Sequence, residues 1–337
     1  MKDEYLDSIL QFEHEVDQRA SELSEETNAI LDAFIVALIA EVGFLEVNML
    51  KGEYRNEPVS RKRKFLAAQR KHVQTRTAEI YVTITRDIEE AAKDVLSSSS
   101  KHTLNLILKT GNEMLSVPLV KFTFRSEVVA WTASDEAVAL WREMTTVEGL
   151  TINQWIAKLE RNTADRINAA LMQAMEEGRG IRETIKFLQS KGIAGSRYGL
   201  EGLARTWMAS ASNYAREKQS EKALGDRLEG WRYSAILDGA ACLVCGNDHG
   251  KEFSAAELRP SLPRHWRCRC LYQAMVKGWN QRPVKETYEQ WMNRQLESNP
   301  DFVRKVLGKT RFDLFKDGKI SLSKMTTEGR VKRLSEI

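Results

Sequence analysis

Apolar residues recur along most of this chain at three- and four-residue intervals, the spacing of helices that bury one face. From residue 3 to about 50, Leu6, Ile9, Leu10 and Phe12 lead into the run AFIVALIA at 33–40, which predicts a long helix. A break is expected at KGEYRNEP. Helical spacing resumes over 61–96, is expected to stop at SSSS (97–100), and continues through KHTLNLILKTGNEML. Val117 precedes Pro118, and the residue before a proline is pushed out of helical geometry, so a boundary falls there. The next stretch, PLVKFTFRSEVVAW, alternates briefly and predicts a short strand.

From Thr151 the helical signal sharpens: Ile152, Trp155, Ile156, Leu159, Ile167 and Leu171 share one face, and Gly178 and Gly180 supply a stop. A shorter helix, IRETIKFLQSK, ends at Gly192, and a loop GIAGSRYG precedes a further helix running to Gly225. At Trp231 the texture changes. WRYSAIL and CRCLYQAMV have strand character, whereas DGAACLVCGNDHGKEF is rich in turn formers. The expected fold is mainly α-helical with a small zinc-stapled α+β module near the C-terminus. Four segments follow: an N-terminal helical region (1–150), a helical core (151–230), a Cys/His module (231–283) and a basic helical tail (284–337).

At 337 residues the chain exceeds what one hydrophobic core usually serves, so two or more packing units are expected. The opening MKDEYLDSIL is acidic where an export signal would be basic and then apolar, and AFIVALIA is too short to cross a bilayer. The expectation is a cytosolic product without a membrane partner, in which clustered thiols bind metal more often than they pair as disulfides. Net charge is only +4, but residues 1–60 carry 4 Lys/Arg against 14 Asp/Glu, leaving an excess of positive charge in the remainder. RKRKFLAAQRKH (61–72) and the last 35 residues, with 10 Lys/Arg against 4 Asp/Glu, form basic stretches. Such stretches either follow a phosphate backbone or are solvated helix faces.

All four cysteines lie in two short fragments, CLVCGNDHG (242–250) and LPRHWRCRC (262–270). Cys242 and Cys245 form C-x2-C, which lets a tight turn aim two thiolates at one ion. Cys268 and Cys270 would face the same side if they lie on a strand, and His265 with Cys268 repeats the two-residue gap. A tetrahedral structural zinc takes four ligands and there are five candidates: Cys242, Cys245, Cys268, and either Cys270 or His265. Arg264, Arg267 and Arg269 would favour thiolate over thiol. A module this small needs a staple to hold its shape.

A redox C-x-x-C would sit between a strand and a helix of a parallel sheet, a pattern absent here. A zinc hydrolase or nuclease would draft Asp248 and His249, yet NDHG is equally turn chemistry, and no histidine follows His265. The chain is therefore expected to work by binding and to have no catalytic residues. His14, His72 and His102 read as surface residues, while Trp207, Trp231, Trp266 and Trp279 read as core or interface.

Four fragments carry a resemblance: ARTWMASASNYA (204–215), WRYSAILDGAACLVC (231–245), HGKEF (249–253) and LPRHWRCRC (262–270). Together they resemble the Mu F-like head morphogenesis family of tailed bacteriophages over about 150–275. Ala204, Arg205, Thr206, Trp231, Asp238, Cys242, Cys245, Gly250, Phe253, Pro263, His265, Cys268, Arg269 and Cys270 match its pattern, and VLGKTRFDLFKDGKISLSKM is similar to the end of such proteins. Trp207 stands where an acidic residue is common, and Trp266-Arg267 replaces a usual Pro-Asn, which bears on the local turn. Residues 1–150 match nothing nameable. The resemblance implies a minor head (capsid) protein acting near the portal or inside the head in procapsid assembly, DNA packaging or DNA delivery. Its partners would be the portal protein, major capsid or scaffold proteins and, through the basic segments, packaged DNA. It would be found in the virion, after assembly in the host cytoplasm.

Overall fold

Helices form where the apolar spacing runs longest. The computed structural model describes residues 4–45, 59–114, 131–177, 179, 181–279, 281, 284–327 and 329–337, and it is mainly helical. Helix α1 spans Glu4–Leu45 and α2 spans Val59–Met114. On α2 the buried stripe is Val73, Tyr81, Ile84, Ile88, Ala92 and Val95. The helix does not stop at the serine tract as expected. Ser99 and Ser100 are buried, and their hydroxyls donate to the Ser212 carbonyl and to Gln219 Oε1, each at 2.9 Å. A serine satisfied in this way costs a helix only modest propensity. The break expected at 51–58 and the strand expected at 118–131 fall outside the described residues, apart from Trp131.

The chain forms two compact units. The first comprises Glu15–Val95 and Ser134–Ala211. It holds α3 (Asp135–Met144), a hairpin of β1 (Thr146–Val147) and β2 (Leu150–Thr151), α4 (Ile152–Glu176) and α5 (Ile181–Phe187). A π-helical turn, Leu188–Gly192, then leads into α6 (Ala194–Leu224). Glu148 and Gly149 turn the hairpin with φ of 51° and 77°, the left-handed pair that matches strand twist in a two-residue loop.

GIAGSRYG, expected as a loop, lies mostly inside α6. A Cβ on Gly195 would fall 2.4 Å from Arg166 Nη1, and one on Gly199 would fall 2.5 Å from Leu159 Cδ2. These glycines therefore mark the close approach of α6 to α4 and do not end a helix. Tyr81, Thr163 and Ser196 join α2, α4 and α6 through hydroxyl contacts of 2.8 and 2.9 Å. Trp207 meets Trp141 edge to face at 4.9 Å, and the Trp141 indole N–H donates to Ser210 Oγ.

The second unit comprises Met1–His14, Leu96–Ala133 and Ser212–Ile337. Its centre is an antiparallel sheet of order β4-β3-β5, with β3 at Leu228–Ser234, β4 at Glu252–Ser254 and β5 at Leu271–Val276. Trp231 lies opposite Phe253 and Ala274, and Tyr233 lies opposite Tyr272. The sheet core includes Trp231, Tyr233, Leu271, Tyr272 and Trp279, together with Tyr5 and Ile9 of α1 and Ile107 of α2. Strand β3 is buried on both faces. On its polar face Arg232 pairs with Glu252 at 2.7 Å.

Helix α7 (Leu243–Asp248) follows β3, and α8 (Tyr288–Ser298), α9 (Pro300–Leu307) and α10 (Lys309–Lys316) follow the sheet. A 3-10 turn at Leu322–Met325 precedes a two-stranded hairpin, β6 (Thr326–Thr327) with β7 (Arg330–Val331). A second core gathers Tyr288, Trp291, Met292, Val303, Leu307, Phe312, Phe315, Leu322 and Met325 against Ala241 and Leu243. The last fifty residues thus cover α7. Asn247 fastens the cover by donating to the Leu322 carbonyl and to Thr326 Oγ1. Among the described residues no helix is long and apolar enough to cross a membrane.

Candidate metal centre

Cys242 is the N-cap of α7: its sulfur accepts the backbone N–H of Cys245 at 3.3 Å, and its carbonyl accepts that of Gly246 at 2.8 Å. A cap residue has its side chain turned over the first helical turn. Cys242 and Cys245 are therefore brought to one end of α7 by ordinary helix initiation. Gly246 carries no side chain because the ring of Tyr288 occupies the space a Cβ would need.

The second fragment is irregular chain and not the strand expected for Cys268 and Cys270, since β5 begins only at Leu271. Its local structure is a turn in which the Cys268 N–H reaches the His265 carbonyl at 3.0 Å. Arg267 closes that turn in the left-handed region, with φ of 63°. The turn forms with Trp266-Arg267 in place, at the cost of a conformation that Asn or Gly adopts more readily.

His265 points inward. Its Nδ1 lies 2.8 Å from the Trp266 carbonyl, which can only accept, so the Nδ1 proton is fixed there and Nε2 faces the thiols. Nε2 is 3.3 Å from the sulfur of Cys242 and 3.3 Å from that of Cys245. This is the tautomer a histidine ligand needs, oriented by a carbonyl behind it.

All five sequence-derived candidates come together. Their ligand atoms form two triads, Cys242–Cys245–His265 and Cys245–Cys268–Cys270, each within 4.8 Å, and Cys245 belongs to both. None of the four cysteines is in a disulfide, and all but Cys242 are buried. Thiols packed so closely cannot all ionise without a cation. Cys242 is drawn down to about 4, first by hydrogen bonding with Cys245 and then by His265. Cys268 is likewise lowered, by Cys245 and Cys270. Cys245 is pushed up by the same contacts with Cys242, Cys268 and Cys270. Hydrogen bonding with Cys245 draws Cys270 down, but the stronger opposition of Cys268 and burial leaves it raised. His265 is held up at about 9, chiefly by its contact with Cys242. The donor set, sulfur with one inward-facing imidazole nitrogen, could hold a metal ion.

Two further residues frame this cluster: Tyr233, which no sequence pattern singles out, and Asp238, known from the sequence only as a matched position of the resemblance. Tyr233 is fully buried on β3, and its hydroxyl lacks a hydrogen-bond partner of regular geometry. Burial raises it, and so do the cysteine sulfurs beside it, Cys270, Cys268 and Cys245, which disfavour a second negative charge. Asp238 ties the two fragments together: its carboxylate accepts from the Ala240 N–H and, at 2.7 Å, from Arg269. Although burial opposes it, those two donors lower the Asp238 carboxyl. Of the three arginines expected to support thiolates, Arg269 pairs with Asp238 and Arg264 with Asp248. Asp248 also pairs with Lys251. His249 accepts the Ala235 N–H on Nδ1 at 3.1 Å, and burial lowers its pKa, so it is a neutral turn residue. Of the three histidines expected at the surface, His14 is exposed, whereas His72 is half-buried 3.0 Å from Glu41 and His102 is half-buried and stacks on Phe12 at 4.4 Å. Trp207, Trp231 and Trp279 are buried, and Trp266 is half-buried.

Residues 165–275 match the family model described as Phage Mu protein F like protein. This segment is similar to the Mu protein F family. It begins within α4, ends within β5, and takes in α6, α7, the sheet and both cysteine fragments. The match therefore encloses every candidate ligand and leaves out all of α1 to α3 and the C-terminal cover. No curated protein and no solved structure matches the chain significantly.

Proposed function

We propose that this chain is a minor head protein of a tailed bacteriophage, acting by binding in head assembly, DNA packaging or DNA delivery. The observation that carries the reading is the convergence of Cys242, Cys245, His265, Cys268 and Cys270 inside the Mu F-like segment. Cys242, Cys245 and Cys268 would hold one zinc ion, with His265 or Cys270 completing the set. Bound there, the metal supplies cross-linking: binding energy on the order of 10–16 kcal/mol that joins α7 to the approach of β5. Asp248 and His249 are occupied by ion pairs and a backbone contact, which supports a structural role for the centre.

The partners that suit this reading are portal, scaffold or major capsid proteins, with packaged DNA meeting the basic segments. The test is a phage carrying an in-frame deletion of the gene, complemented from a plasmid. The expected result is heads that are absent, empty or unable to deliver DNA without the plasmid, and normal with it. Normal heads, normal packaging and normal delivery without it would overturn the assignment. Salt-sensitive DNA binding with no capsid association would point instead to a nucleic-acid-binding protein. Hydrolysis lost in Asp248→Ala or His249→Ala, with the fold intact, would point to a zinc hydrolase.

A further inference from the structure

Asn213 lies on α6, 3% exposed, with both ends of its amide committed. Its Nδ2 donates to the Cys270 carbonyl at 2.9 Å and its Oδ1 accepts from Arg216 Nη1 at 3.1 Å. Only this orientation satisfies both neighbours, because the carbonyl needs a donor and the guanidinium needs an acceptor. Arg216 is 2% exposed and forms an ion pair with Glu13 of α1, itself 4% exposed. The Ser212 hydroxyl donates to the same Glu13 carboxylate, and Ser99 of α2 donates to the Ser212 carbonyl. A continuous buried polar chain therefore runs from Glu13 through Arg216 and Asn213 to the backbone of Cys270.

We infer that Asn213 is a positioning residue for the metal centre, aiming Cys270, and that the Glu13–Arg216 pair holds Asn213 in place. Cys270 sits in irregular chain just before β5, so its carbonyl has no place in the sheet ladder. A buried carbonyl needs a donor, and the plane of that peptide fixes the direction in which the Cys270 side chain leaves the backbone. A buried ion pair is a poor route to stability alone, and its best-attested use is to fix one arrangement among several. The inference rests on the metal reading. It also extends the centre beyond the Mu F-like segment, because Glu13 lies outside it.

The test uses the full chain and zinc alone, with cobalt(II) as the spectroscopic probe. Asn213→Asp keeps an acceptor for Arg216 and removes the donor to Cys270, whereas Asn213→Leu removes both. In both variants zinc is expected to bind roughly 10- to 100-fold more weakly, with a shifted cobalt visible spectrum and unchanged far-ultraviolet circular dichroism. Should neither fold, Glu13→Gln, which keeps the shape of the pair and removes its charge, is read in their place with the same expectation. Folded variants with unchanged zinc affinity and an unchanged cobalt spectrum would overturn the positioning role. Wild-type protein that binds no stoichiometric zinc would overturn the metal reading itself, and this role with it.

Discussion

The ring of Tyr288 lies flat against Gly246, so close that a Cβ on the glycine would come within 2.4 Å of two ring carbons. Tyr288 is buried and stacks on Trp291 at 5.8 Å, so it cannot step aside cheaply. Gly246→Ala is expected to cost about 1–3 kcal/mol, the usual range for overpacking a filled site. Denaturant unfolding of the two proteins checks this, and a loss below about 0.5 kcal/mol would show that the ring relaxes freely.

Cys245 is common to both ligand triads, whereas Cys242 and Cys270 each belong to one. Cys245→Ser is therefore expected to abolish stoichiometric zinc. Cys242→Ser and Cys270→Ser each leave one triad whole and retain weaker binding. Metal analysis after dialysis ranks the three, and equal losses would remove the special place of Cys245.

Zinc affinity should rise with pH. In the metal-free protein His265 is held up at about 9 and Cys245 is raised as well, so both carry protons at neutral pH. A metal can bind them only after those protons leave, hence acid favours the metal-free form. Between about pH 6 and 9 the affinity is expected to climb by about tenfold per pH unit for each proton released. Competition with a chromophoric chelator at three pH values measures the slope, and a flat profile would exclude His265 and Cys245 as ligands.

Arg267 adopts φ of 63°, a region that costs a residue with a Cβ roughly 1–2 kcal/mol and that Asn tolerates better. Arg267→Asn is expected to stabilise the protein by up to about 1 kcal/mol with zinc stoichiometry unchanged. A lower midpoint of thermal unfolding would mean that the contacts of the arginine side chain outweigh its backbone strain.

Much of this molecule could be read from its residues. Helix-period apolar spacing located α1, α4 and most of α2, and the two cysteine fragments contained all five side chains that come together in the cluster. The failures have physical causes. Ser99 and Ser100 look like a break because serine competes with helical hydrogen bonds, but here their hydroxyls meet Ser212 and Gln219, which are remote in sequence. Gly195 and Gly199 look like a loop because glycine is flexible, but each makes room for a side chain of α4. Tyr233, Asn213 and Asp238 act on groups remote in sequence, the cysteines, the Cys270 carbonyl and Arg269, and no local pattern announces such contacts. Only Asp238 left a trace, as a matched position of the resemblance.

The second unit is assembled from pieces that leave the ribosome far apart. Glu13 and Arg216 are 203 positions apart, and Tyr5 packs edge to face on Trp279. The first turns of α1 can therefore complete their packing only after the sheet has been synthesised. Contacts between such distant positions make closure slow. Folding of the sheet and seating of α1 are thereby made a single event.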